Sequence, residues 1–190
     1  MILPKLSPRE VKKRLKIAFI GSCLPRKCGI ATFSASLSQA LEVILGRDAT
    51  SFVALNNNQH YDYSPSVIGQ IEQETPDDYR KAAEMINDSA VDVVSLQHEF
   101  GLFGGPDGNY IIDFLSQLQK PVVTTLHTVL ENPTPGQKKT FKEVAVFSQA
   151  LVVMNEMAIS IMTEKYDIPR DKIHLIPHGV PDSFYIDPSF

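Results

Sequence analysis

The residues with chemical potential in this chain collect in three short stretches. "QHEFGLFGGPDG" places His98 and Glu99 ahead of four glycines in eight residues, "TLHTV" carries His127 after an apolar run, and "PRKCG" sets Arg26 and Lys27 beside Gly29. Two cations followed by a glycine suit an anion. A residue without a β-carbon lets the backbone approach a ligand, and a helix beginning near Ile30 brings unpaired N–H groups and a positive dipole end. A phosphate or diphosphate is the natural guest, set against the plainer reading of Arg26 and Lys27 as solvated loop charges. His98 and His127 each close an apolar run, and taken singly either is better read as a hydrogen-bonded structural residue than as a catalyst. Their clustering with the cationic loop favours function. Gly104 and Gly105 give the long loop a backbone that folds tightly against a ligand, and Phe100 and Phe103 anchor that loop to a core. His178 in "IPHGVP" is a weaker candidate because the prolines alone explain a turn, and His60 and His174 carry no functional expectation.

Several familiar chemistries do not fit. The spacing from Gly21 is not G-x-G-x-x-G and no G-x-x-x-x-G-K-[ST] occurs, which argues against a dinucleotide dehydrogenase and a P-loop ATPase. A metal centre built from His98, Glu99 and His127 lacks the i, i+4 spacing of a helical zinc motif. The only two cysteines, Cys23 and Cys28, share one loop, so they form no disulfide framework and half of a four-ligand zinc site at most.

These residues need a scaffold that brings distant loops together, and the pattern supplies one. Apolar, β-branched runs (Lys16–Ile20, Thr50–Leu55, "VDVVSLQ", "PVVTTL", "ALVVMN", "KIHLIP") alternate with amphipathic stretches that begin near Ala31, at Pro76, and at "NYIIDFLSQL", "QKKTFKEVAVFSQ" and "EMAISIMTEKY". A further short strand is expected at Val67–Ile71. Thr75, Pro76, Asp77 and Asp78 suit a helix N-terminus, and Gly46 suits a helix end. Alternation of this kind predicts an α/β fold, a Rossmann-like parallel sheet with helices on both faces, in which ligands lie beyond the carboxyl ends of the strands. All the candidate residues fall at that edge.

The 190-residue chain carries 18 basic and 22 acidic side chains, a formal charge of -4, which speaks against nucleic acid and anionic membrane as partners. No apolar run is long enough to span a membrane and the first residues lack the centre of a secretion signal, so a cytoplasmic protein is expected.

Four segments together resemble the N-terminal half of a retaining GT-B glycosyltransferase of family 4, also called group 1. "KIAFIGSCLPRKCGIATFSASLSQAL" resembles its first strand, glycine loop and first helix, while "SLQHEFGLFGG" and "VVTTLHTVLENPTPGQ" resemble its central strand ends. "LIPHGVPDSF" resembles the passage into its second domain. The resemblance implies transfer of a hexosyl group from a nucleotide-sugar donor to a saccharide or other hydroxyl acceptor, with no cofactor and no metal. It implies residues 1–178 as the acceptor-side domain and 179–190 as a hinge toward a nucleotide-sugar-binding domain not in this chain, without which turnover is not expected. Gly29 matches the loop glycine beside the donor diphosphate, with Arg26 and Lys27 as phosphate contacts. His127 matches the strand-end histidine near the donor sugar, and His98, Glu99, Gly104 and Gly105 fall where acceptor or sugar contacts are expected. Cys28 replaces the first of two adjacent glycines usual in the family. A sugar- or phosphate-binding module without chemistry, and a metal-dependent hydrolase, are the competing expectations.

Overall fold

The computed structural model describes residues 15–179; the expected lead-in and all but the first residue of the expected hinge lie outside the described residues. The strands are β1 (Ile17–Gly21), β2 (Thr50–Asn56), β3 (Val67–Glu72), β4 (Val93–His98), β5 (Val122–Leu126), β6 (Ala150–Val153) and β7 (Ile173–Leu175). The helices are α1 (Gly29–Leu45), α2 (Pro76–Asp88), α3 (Ile111–Gln117), α4 (Pro135–Phe147) and α5 (Glu156–Tyr166). All seven strands form one sheet in the order β3-β2-β1-β4-β5-β6-β7, and every neighbouring pair is parallel. This is the Rossmann-like α/β fold expected from the pattern.

The sheet is apolar on both faces because both are covered. All five residues of β1 are buried, which is why its sequence runs apolar without alternation. Phe19 stacks on Phe52 with ring centroids 5.1 Å apart, and these rings pack under Leu37, Leu41 and Leu45 of α1. On the opposite face Ala18 and Ile20 meet Tyr79, Ala83 and Ile86 of α2 and Ile111 and Phe114 of α3. Further along that face Phe141 of α4 packs on Tyr166 of α5, ring to ring at 4.5 Å.

Two boundaries differ from the sequence reading. Helix α4 starts at Pro135, before the expected Gln137. Thr134 accepts from the Gln137 N–H while the Gln137 side chain accepts from the Thr134 N–H, so a capping box organises what reads as a polar loop. Helix α3 has only seven residues, preceded by a single 3-10 turn at Pro106–Gly108. For the site, the key feature is the order itself. The chain leaves β1 toward β2 on one side and returns to β4 on the other, which opens a crevice beyond the carboxyl ends of β1 and β4 where open α/β sheets take their ligands.

Candidate functional site

The rim of this crevice is built from four strand ends. Beyond β1, residues 22–28 form a loop containing a cis Leu24–Pro25 peptide, and Cys28 stands at the N-cap of α1 without a side-chain hydrogen bond to the first turn. The first N–H groups of α1 are therefore open to an anion. Gly29 is exposed, and a β-carbon built on it would meet no atom within 4 Å. Its own packing does not demand glycine, so the free space above it is available to a ligand. The half-buried Cys28 thiol reports the local field. Burial raises its pKa, but the Ser22 hydroxyl, the backbone N–H groups of Ala31 and Ile30 and the charge of Arg26 outweigh burial and leave it lowered. The N–H groups that lower the thiol pKa are the ones an oxyanion would use when Cys28 is a neutral thiol.

On the other side of Gly29, β4 and β5 end in register, with His98 paired to Leu126 and the His127 N–H donating to the His98 carbonyl at 3.0 Å. The half-buried His127 ring is clamped from two sides. Its Nε2 lies 3.0 Å from Oε1 of Gln97, a fully buried amide whose nitrogen donates to Ser95 Oγ, and the edge of its ring meets Phe33 with centroids 5.0 Å apart. Phe33 in turn contacts His178 at 5.5 Å. Burial lowers the His127 pKa, Glu99 opposes the shift and His178 adds to it, so the ring is neutral at pH 7. An amide oxygen accepts only, which places the single ring proton on Nε2 and leaves Nδ1 as an acceptor. In this geometry the neutral ring of His127, which the resemblance sets near the donor sugar, offers Nδ1 as an acceptor.

The remaining candidates take other positions. Glu99 uses both carboxylate oxygens, one accepting from the Phe100 N–H at 3.0 Å and the other from the Thr128 hydroxyl at 2.5 Å, so it ties the β4 loop to the end of β5. His98 is 1% exposed, with the rings of Phe100, Phe103 and Phe141 at 5.1, 5.8 and 6.0 Å, and its Nδ1 has no partner. Burial pushes its pKa down to about 4, with His127 adding to the shift, and its side chain does not open onto the rim. Gly104 and Gly105 answer to packing. A β-carbon on Gly104 would fall 1.9 Å from the Gln73 carbonyl oxygen, and Gly105 has φ 78° with the Tyr110 ring 2.5 Å from where its β-carbon would be. Arg26 donates to the Leu55 carbonyl at 3.0 Å, and with Lys27 it lines a groove toward the end of β2. The structure thus brings Gly29 and His127 to one crevice, sets Arg26 and Lys27 on its β2 flank, and encloses His98, Gly104 and Gly105.

Gln97, Phe33 and Thr128 were not foreseen. The available signal was Gln97, the one amide of a largely buried strand, where a buried polar group demands a partner. Among the described residues no three His, Cys, Asp or Glu side chains gather closely enough to hold a metal, and no helix is long and apolar enough to cross a membrane.

Comparison with known proteins places this arrangement in a family. The model for "Glycosyltransferase Family 4" matches residues 31–184. A glycosyltransferase from Rickettsia africae ESF-5 superposes with a TM-score of 0.58 at 17% identity, covering 88% of this chain and 44% of the other. An alpha-glucosyltransferase solved with UDP and a 13-mer DNA superposes with a TM-score of 0.54 at 14% identity, covering 75% of this chain and 37% of the other. The chain therefore spans less than half the length of either. No curated protein matches the sequence. With the family model covering most of the chain, this protein belongs to glycosyltransferase family 4.

Proposed function

We propose that this chain is the acceptor-side half of a glycosyltransferase that moves a hexosyl group from a nucleotide-sugar donor to a hydroxyl acceptor with retention at the anomeric carbon. The observation that carries the reading is the clamped His127 ring, held by Gln97 at 3.0 Å so that Nδ1 is the atom left for a ligand hydroxyl. Sugar transfer through an oxocarbenium-like transition state needs the departing diphosphate stabilised and the two substrates held close. The open first turn of α1 and the space over Gly29 serve the diphosphate, while His127 orients the donor sugar by accepting from one of its hydroxyls. His127 is not assigned as a general base for the acceptor; in the retaining chemistry the resemblance implies, the leaving phosphate takes that part. Half of a cleft buries little of a substrate, so the chain alone binds weakly and turns over nothing until a nucleotide-binding half closes on it.

The test is turnover of a panel of UDP-, GDP- and ADP-hexoses by the chain joined to such a half. Gly29→Val fills the space above the first turn of α1, and His127→Ala removes a hydrogen bond of roughly 1 kcal/mol, about a fivefold change. Loss of transfer in Gly29→Val and a severalfold fall in His127→Ala are expected. Undiminished transfer by both variants defeats the site assignment.

A further inference from the structure

Arg26 and Lys27 do not line the same recess as His127. With Cys28, Asn57, Gln59 and Tyr61 they line a groove of about 520 Å³ between the loop that follows β1 and the loop that follows β2. Its volume falls within the range of roughly 300–1,000 Å³ typical of small-molecule sites.

Its lining is one-sided in hydrogen-bonding capacity. The Tyr61 hydroxyl lies 3.0 Å from Asn57 Oδ1 and 2.8 Å from Gln59 Oε1, so its single proton is shared between the two amide oxygens, and among the described residues the two amide NH2 groups are donors without an acceptor. Lys27 is exposed and, among the described residues, makes no salt bridge. Arg26 commits one nitrogen to the Leu55 carbonyl, which fixes the guanidinium at the groove and leaves its other N–H groups. No carboxylate lines the groove, and Asp62, the next acid along the loop, is fully exposed beside His60. The wall is also set in advance: Tyr63 donates to Asn56 Oδ1 at 2.8 Å, and the Asn56 amide nitrogen donates to Gln70 at 2.9 Å and Glu72 at 2.7 Å.

A neutral sugar offers hydroxyls that both donate and accept, and would leave many of these donors poorly matched. A carboxylate or phosphate only accepts and carries the opposite charge. We propose that this groove is the acceptor subsite and that it selects an acceptor sugar bearing an anionic group, a carboxylate or a phosphate, held by Lys27, Arg26 and the amides of Asn57 and Gln59. Calling the ligand an acceptor rests on the transfer reading above; the affinity for an anionic sugar does not.

The experiment is a titration of the isotope-labelled 190-residue chain with glucose 6-phosphate, glucuronate and glucose, followed by amide NMR shifts. The expected result is saturable binding of both anionic sugars, with shifts centred on Lys27, Asn57, Gln59 and Tyr61 and with glucose at least tenfold weaker. Lys27→Ala, at an exposed position, should weaken the anionic sugars about fivefold, leave the response to glucose unchanged and lower the salt dependence. Binding of one anionic sugar alone identifies which acid the groove takes and still supports the proposal. Equal binding of glucose, insensitivity to Lys27→Ala, or shifts centred on Gly29 and His127 would overturn it. Lys27-dependent binding in a chain whose completed enzyme consumes no nucleotide sugar would leave the groove standing and remove the transferase reading.

Discussion

His127 and His98 sit on adjacent strand ends, yet their surroundings give them opposite roles. His127 is half-buried, its proton fixed on Nε2 by Gln97, which leaves Nδ1 as the acceptor of the ring. His98 is enclosed by three phenylalanine rings with an unpartnered Nδ1. A buried ring held near pKa 4 refuses a proton that the unfolded chain accepts near 6.5. Stability is therefore intact above about pH 6.5, begins to fall as the unfolded state protonates, and has lost the full contribution near pH 4. Integrated to pH 4.5 this is on the order of 2–3 kcal/mol. Urea unfolding at pH 7.5 and 4.5 should show the loss in the native chain and a markedly smaller one in His98→Leu; parallel pH dependence in the two proteins would show that His98 is not the sensor.

At the scale of elements, the strands were legible because parallel strands covered on both faces must be apolar and β-branched, and β1, β2, β4, β5 and β6 all read that way. Helix α5 was found end to end. What escaped was local chemistry in place of periodicity: the capping box at Thr134 and Gln137 lies in a segment with the composition of a loop, and the glycines after Phe103 read as a backbone folding against a ligand. They are there for close approach. Gly104 is buried against the Gln73 carbonyl, and its N–H donates to the Tyr79 hydroxyl at 3.0 Å and so is not left for a ligand. Gly104→Ala should thus cost several kcal/mol or force the loop to move, since the added β-carbon would overlap the Gln73 backbone, which cannot give way as a flexible side chain can. Gly29→Ala, where a β-carbon meets open space at the start of a helix, should change stability by less than about 1 kcal/mol. Thermal unfolding of the two variants side by side measures the contrast, and equal losses would mean that Gly29 is structural after all.

Across the whole molecule, the convergence of Gly29 and His127 was predictable from topology alone, because a β1/β4 switch point gathers loops that are distant in sequence. Their exact partners were not, since His127 is oriented by a residue thirty positions earlier whose side chain points out of the middle of the sheet edge. Nor could composition say that Arg26 would bond to the end of β2 and turn its charge onto a different flank. The result is one rim that carries Gly29 and His127 on one side and a donor-rich groove at Lys27 on the other. The measurement that tests this most directly is the NMR response of the labelled chain to a panel of nucleotide hexoses. The account predicts weak binding whose shifts gather on Gly29 to Phe33 and on the His127 ring, with Nδ1 changing and Nε2 retaining its proton. Shifts that bypass His127 at saturation, or that fall on the far edge of the sheet, would contradict it.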